Sequence, residues 1–323
     1  MRMSPFHAYL RLRSRLLRRV LREVGALRLA LLVPVLLAAV GRGLVLGAGH
    51  AQGQWAVPIL TALTVAPAHR QRADLRFLAL SAPAFRGWLA VEYALLVLPV
   101  AVVLLAFGDW GAAALTEALA AAVAWLPPVR ESRSTRHRWP SLARSEAFEW
   151  VSGLRQGGVW AWPLLVAGAW WWQPSPLGPA VALVGWLLVL LAHYGTPEPV
   201  SMLLLAARTP RQFIRRRLLL GLGYAGLTAA PLLWMLSRSA AGWVGTLAVG
   251  GFWLGLVALL ILIKYAFYPN AMHIRTTQAL VLGVALALPG NPIYPPVLTV
   301  VVFGLIWQSR RRLRAVLGEE KVV

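Results

Sequence analysis

Two glutamates sit where charge is costly. Glu92 lies in the apolar run 85–107 and Glu117 near the middle of the run 110–127. An ionisable group in such a setting is either a relay for a proton or cation, or one half of an ion pair with an arginine across a helix interface. Other chemistry is scarce. Cysteine is absent, which removes thiolate metal sites, disulfides and a cysteine nucleophile. The two lysines, Lys264 and Lys321, do not follow glycine, so no phosphate-cradling ATP loop can form in this chain. Gly221-Leu222-Gly223-Tyr224-Ala225-Gly226 matches a dinucleotide fingerprint literally. It lies inside an apolar run with no strand before it, and helix packing through small residues accounts for it better. The six histidines are scattered, none pairs with another at metal-ligand spacing, and His69 and His193 fall at the ends of apolar runs, where a wet ring is expected. No serine sits in a nucleophile elbow. The expectation is a chain that is not an enzyme and holds no metal or cofactor of its own.

The elements that would position Glu92 and Glu117 follow from composition. Of 323 residues, 59% are hydrophobic and 13% charged, with a mean hydropathy of +0.65. A soluble domain carries about a quarter charged residues, so a soluble enzyme, a disordered chain and a secreted disulfide scaffold are excluded. Ten apolar runs bounded by charge, glycine or proline predict an all-α, polytopic membrane protein of about ten transmembrane helices. They lie near 26–46, 54–68, 85–107, 110–127, 157–172, 178–194, 218–236, 241–263, 277–289 and 295–308. The last two are short, leaving eight spans with a re-entrant hairpin as the alternative count.

With the N-terminus in the cytoplasm, 30 of the 32 basic residues fall on the inner side and only Arg42 and Arg238 on the outer. Retention of Lys and Arg in cytoplasmic loops is the rule behind such asymmetry, and it places both termini in the cytoplasm. The net charge of +21 then marks orientation and attraction to anionic lipids, not nucleic acid. Many of the sixteen tryptophans, among them Trp55, Trp88, Trp110, Trp150, Trp160, Trp170–Trp172 and Trp243, fall at run ends, where indole prefers the headgroup boundary. Lys264 can snorkel to the inner surface from the end of its run.

The chain also reads as one plan used twice. Residues 1–25 form an amphipathic interfacial helix, 26–128 a first four-span unit, 129–275 a second one preceded by its own amphipathic segment, and 276–323 a closing hairpin with a basic tail. Each unit has a patterned turn between its second and third spans: an acid, a short apolar half-helix, a proline, then arginine or phenylalanine. The first runs from Asp74 through Leu78 and Leu80 to Pro83 and Arg86, and the second from Glu198 to Pro210 and Arg211.

These turns, the interfacial helix before the first span, and the Tyr265-Ala266-Phe267-Tyr268-Pro269-Asn270 stretch together resemble the membrane-spanning permease subunit of bacterial ABC exporters, in particular the Ecs-like permeases. The resemblance is to a pattern over most of the chain, which has more spans than the commoner exporter plan. It implies that Asp74, Leu78, Pro83 and Arg86 belong to a coupling helix docking on a separate ATPase subunit, with Glu198, Pro210 and Arg211 in a second contact. It further implies ATP and magnesium on that partner, a homodimer or a second membrane subunit, a lipidic, peptide or other hydrophobic substrate, and residence in the bacterial cytoplasmic (inner) membrane. Two rival readings remain: a proton-coupled secondary transporter using Glu92 and Glu117, and a non-catalytic membrane subunit of a larger complex.

Overall fold

A computed structural model describes residues 5–51, 53–70, 72, 74–127, 147–154, 158–172, 175–198, 209–287 and 294–317. Among these the chain is helical, without strands. The helices are α1 (Pro5–Val24), α2 (Ala26–Ala48), α3 (Gly53–Arg70), α4 (Leu75–Ser81), α5 (Phe85–Ala106), α6 (Trp110–Ala122, prolonged by a 3-10 turn to Trp125), α7 (Phe148–Gly153), α8 (Val159–Trp171), α9 (Leu177–Tyr194), α10 (Pro210–Ser237), α11 (Gly242–Ala266), α12 (Ala271–Ala287) and α13 (Tyr294–Leu317). Every apolar run of the sequence is largely helical over its described residues. Four helices, α5, α9, α10 and α11, are long and apolar enough to cross a membrane, and Val33–Ala48, Trp110–Trp125 and Val159–Trp171 are shorter apolar helices. This is a helical membrane protein. A membrane helix satisfies its backbone internally and needs about 20 apolar residues to cross. The two short runs belong to longer helices: α12 has 17 residues and α13 has 24, running on into the basic tail.

The chain forms two compact units, Met1–Pro128 with Ala279–Pro289, and Val129–Gln278 with Gly290–Val323.

In the first unit α5 and α6 form a hairpin, and α3 packs on α6. Gly108, at φ 82, makes the turn between α5 and α6, a left-handed conformation that a side chain would strain. The core is Val65, Leu75, Leu78, Leu89, Tyr93, Val97, Ala120, Val123 and Ala124, closed by Tyr9 from α1. Alanines on α6 let the backbones approach. The helix α1 is two-sided. Phe6, Tyr9 and Leu10 pack into this core, while Leu12, Leu16, Leu17, Val20 and Leu21 are exposed.

In the second unit α11 is central, packed by α9, α10 and α13, and its final turns from Leu259 to Ala266 are buried on all sides. Gly221 permits the closeness of α10 and α11, since a Cβ there would meet Ile261 Cδ1 at 2.6 Å and the Tyr194 hydroxyl at 3.0 Å. Gly223 and Gly226 face open space, so the glycine run serves packing at one position. Indole N–H groups tie the bundle. Trp253 donates to Leu183 O and Trp162 to Thr228 O, both at 2.9 Å. Trp186 donates to Thr228 Oγ at 2.9 Å. Trp150, expected at the membrane boundary, is instead buried and donates to the Tyr194 hydroxyl at 3.0 Å. Trp110, Trp160, Trp170, Trp171 and Trp243 are exposed.

Candidate functional site

Each unit holds one cluster of interacting charged side chains. In the first, α5 carries Glu92, and both of its oxygens are occupied. Oε1 accepts from Arg13 of α1, through Nε at 2.9 Å and through a terminal nitrogen. Oε2 accepts from the Tyr9 hydroxyl and from Arg72 at 3.2 Å. Arg72, in the connection between α3 and α4, forks onto both Asp74 oxygens at 2.9 and 2.7 Å, the bidentate geometry that a guanidinium favours. It also reaches the hydroxyls of Tyr9 and Tyr93 at 3.2 Å. Beyond Tyr93 lies His69, whose Nδ1 is 2.7 Å from the Tyr93 hydroxyl and whose Nε2 donates to Leu126 O at 3.0 Å. A carbonyl only accepts, so Nε2 carries a proton. His69 is buried, not wet as its place in the sequence implied. Burial and the Glu92 bond push the Tyr9 phenol up to about 12. The hydrogen bonds from Arg72 hold Asp74 below the usual carboxylate range.

The short turn that the resemblance made a coupling helix is held by this cluster. Asp74 precedes α4 and is gripped by Arg72, while Leu75 and Leu78 face the core. Leu78 is thus an inward anchor. The outward apolar residues are Phe77 at 67% and Leu80 at 90% exposure, and Phe77 was not singled out in the sequence. Pro83 and Arg86 are exposed, and Arg86 lies over the ring of its neighbour Phe85. The partner of Asp74 is Arg72, two residues away, a pairing the spacing could have revealed.

The second cluster is drier. Glu149, on α7, accepts from Arg217 of α10 at 2.9 Å and from the Tyr265 hydroxyl of α11 at 2.7 Å. Lys264, one residue before Tyr265, lies 3.6 Å from Glu149 Oε1 and donates to Glu198 Oε1 at 2.7 Å. Glu198 follows α9, and its backbone oxygen accepts from the Tyr268 hydroxyl at 2.7 Å. Side-chain exposure is 1% for Lys264, 6% for Glu149, 5% for Glu198 and 12% for Arg217. Lys264 therefore does not snorkel: it points into the protein, because two carboxylates wait there. Burial pushes Glu149 up, but Lys264 and Arg217 outweigh it and hold the carboxyl low. For Glu198 burial and the nearby Glu149 charge prevail over Lys264, and its carboxyl is held above the ordinary glutamate value.

Of the second expected contact, Glu198 and Pro210 are buried and Arg211 is exposed; residues 199–208 lie outside the described residues. Pro210 opens α10 behind Thr209, whose Oγ accepts from the Gln212 amide at 3.3 Å, the usual cap with proline just inside it. The first turn brings Asp74 and Glu92 into one cluster through Arg72. The other acid of the repeated plan, Glu198, joins a separate one with Glu149. Glu117 joins neither. It is half-buried on α6, and its Oε1 has no hydrogen-bond partner among the described residues. Among the described residues no group of three or more His, Asp or Glu is placed to hold a metal ion.

The fold and the clusters define the class, a helical membrane protein in which ion pairs tie apolar helices to short helices and connections. No known protein family, curated protein or solved structure matches the chain, so the reading of its function rests on its own geometry.

Proposed function

We propose that this chain is the transmembrane subunit of an ATP-driven, ABC-type exporter of the bacterial cytoplasmic membrane. In this reading about ten helices span, both termini are cytoplasmic, and anionic lipids meet the basic inner face. ATP and magnesium belong to a separate ATPase subunit, and a second copy or another membrane subunit completes the pathway for a lipidic, peptide or other hydrophobic substrate. The observation that carries the reading is α4. This seven-residue helix joins two apolar helices, is pinned from behind by Leu75, Leu78 and the Arg72–Asp74 fork, and turns Phe77 and Leu80 outward. An apolar pair presented on a rigid base at the basic side suits a cleft in a partner protein. Closure of two ATPase subunits would then move the spans as bodies, with prolines inside α2, α5, α8 and α10 as flex points.

Gentle purification tests this directly. An ATPase with its own nucleotide-binding motifs should copurify, and Phe77→Ser with Leu80→Ser should release it while the membrane subunit stays folded. Asp74→Asn with Arg86→Gln should uncouple ATP hydrolysis from transport. Absence of any ATPase from the wild-type preparation would sink the proposal.

A second reading, a proton-coupled transporter, is favoured by one observation only, the unpartnered Oε1 of Glu117. Glu92 does not serve it, since both its oxygens are taken by cations and a phenol. Glu117→Gln should abolish transport in that case. If that substitution is silent and no ATPase is found, a non-catalytic subunit of a larger membrane complex is what remains.

A further inference from the structure

We propose that the Glu149–Glu198 pair of the second unit is a proton-binding site, in which Glu198 takes up and releases the proton while Glu149 stays an anion. The argument begins with geometry. The two carboxyl groups share one ammonium, Lys264 Nζ lying 2.7 Å from Glu198 Oε1 and 3.6 Å from Glu149 Oε1, and both side chains are more than nine-tenths buried. Two ionised carboxylates in one dry site repel, and a proton on one of them relieves the repulsion.

The surrounding groups decide which partner is the acid. Glu149 accepts from Arg217 and Tyr265 and has Lys264 nearby. Glu198 Oε1 accepts from Lys264, and its Oε2 is buried with no hydrogen-bond partner among the described residues. An anion is stabilised where the donors converge, so as pH falls the pair takes its proton on Glu198 first.

The groups that act on the pair are Tyr194 of α9, Arg217 of α10, Lys264 and Tyr265 of α11 and Tyr268 of the connection after it, with Gln278 of α12 and Ser309 of α13 bonded to backbone nearby. Gln278 donates to the backbone oxygens of Tyr194 and Leu260, and Ser309 to that of Leu262, so their hydrogens are engaged and neither donates one to the carboxyls. The phenols are uncharged at neutral pH.

Protonation changes the charge of the Glu149, Glu198, Lys264 and Arg217 set from zero to plus one. That excess has a place to go. Lys264 Nζ lies 5.7 Å from the Tyr194 ring and 5.8 Å from the Tyr265 ring, and Arg217 Cζ lies 5.1 Å from the Phe213 ring. Ring faces stabilise cations in a desolvated setting. Uptake of the proton weakens the Lys264 hold on the Glu198 side chain, while Tyr268 keeps the backbone in place. The hydrogen-ion concentration is thereby read at the start of the connection from α9 to α10. The site is independent of whether the chain works with an ATPase.

The test uses the full chain in lipid nanodiscs and infrared difference spectroscopy across a pH titration. The carbonyl band of a buried carboxylic acid should appear as pH falls through the raised folded-state value in the wild type and in Glu117→Gln, and be absent in Glu198→Gln. Glutamine is the near-isostere of the protonated acid, so that variant keeps the fold. Thermal stability gives the second readout. A carboxyl whose folded-state value is raised stabilises fully below its unfolded value, near 4.5, and that contribution is lost as pH rises through the folded-state value. The wild type should therefore lose stability relative to Glu198→Gln as pH rises above about 4.5. An acid band that survives in Glu198→Gln, or equal pH slopes in the two proteins, would overturn the assignment.

Discussion

The two charged clusters are built on different elements. In the first unit Arg13 stands on α1, the connection carries both Arg72 and Asp74, and the apolar helix α5 supplies the anion Glu92. In the second the anions stand on the short helix and the connection, Glu149 and Glu198, and the apolar helices α10 and α11 supply the cations Arg217 and Lys264. The first is also wetter, with side-chain exposures of 34% for Arg13 and 37% for Asp74 against 12% or less throughout the second. Burial decides what such a cluster can do. A half-solvated one fixes an orientation and tolerates change. A dry one leaves any uncompensated charge at full cost, and so can register a single proton.

The largest expected effect breaks the dry cluster. Glu149→Gln leaves Arg217 and Lys264 with one carboxyl that is itself prone to neutralise, and should lower stability by about 3–5 kcal/mol, read as thermal unfolding in detergent. A smaller one tests how tightly the same unit is packed. Gly221→Val pushes a side chain toward Ile261 and the Tyr194 hydroxyl and should cost about 1–3 kcal/mol, whereas Gly223→Ala should be nearly silent. In the wetter cluster, Glu92→Gln keeps an oxygen to accept from Arg13 or Tyr9 and should cost about 1–2 kcal/mol. Half-solvation adds a signature: the loss caused by Arg13→Gln should shrink at high salt, while that caused by Arg217→Gln should not. The smallest effect concerns Asp74. Its carboxyl is lowered, so its contribution is present above the ordinary value of 3.8 and lost as pH falls through the lowered one. Asp74→Asn should flatten that acid limb of the melting curve. If the two clusters answer alike to charge removal and salt, the contrast between them fails.

How much of this was legible differs by level. The helices were, because an apolar run bounded by charge carries its own evidence: α5 and α9 begin and end within a residue or so of the runs that predicted them. The inward and outward faces of α4 were not, since seven residues give too few turns to choose a side; Leu78 proved an anchor and Phe77 an exposed residue. The clusters were least legible. Arg72 and Asp74 are two residues apart, but Glu149 meets Tyr265 across 116 positions, and no local pattern announces such a pair. Lys264 read as a snorkelling residue because its sequence neighbours are apolar. What reversed that reading is two carboxylates brought to it from α7 and from the end of α9.

The two-sided helix α1 has a mechanical meaning. Its first turns are clamped to Glu92 through Tyr9 and Arg13, and its later leucines lie open among arginines. One rod is thus fastened to the protein at one end and leaves its other end open. In the proposed membrane setting, a change in lipid charge or lateral pressure that lifted or sank the leucine end would turn the rod about its clamp. Arg13 and Tyr9 would then pull on the carboxylate of α5, and the state of the surrounding membrane would become a force on that apolar helix.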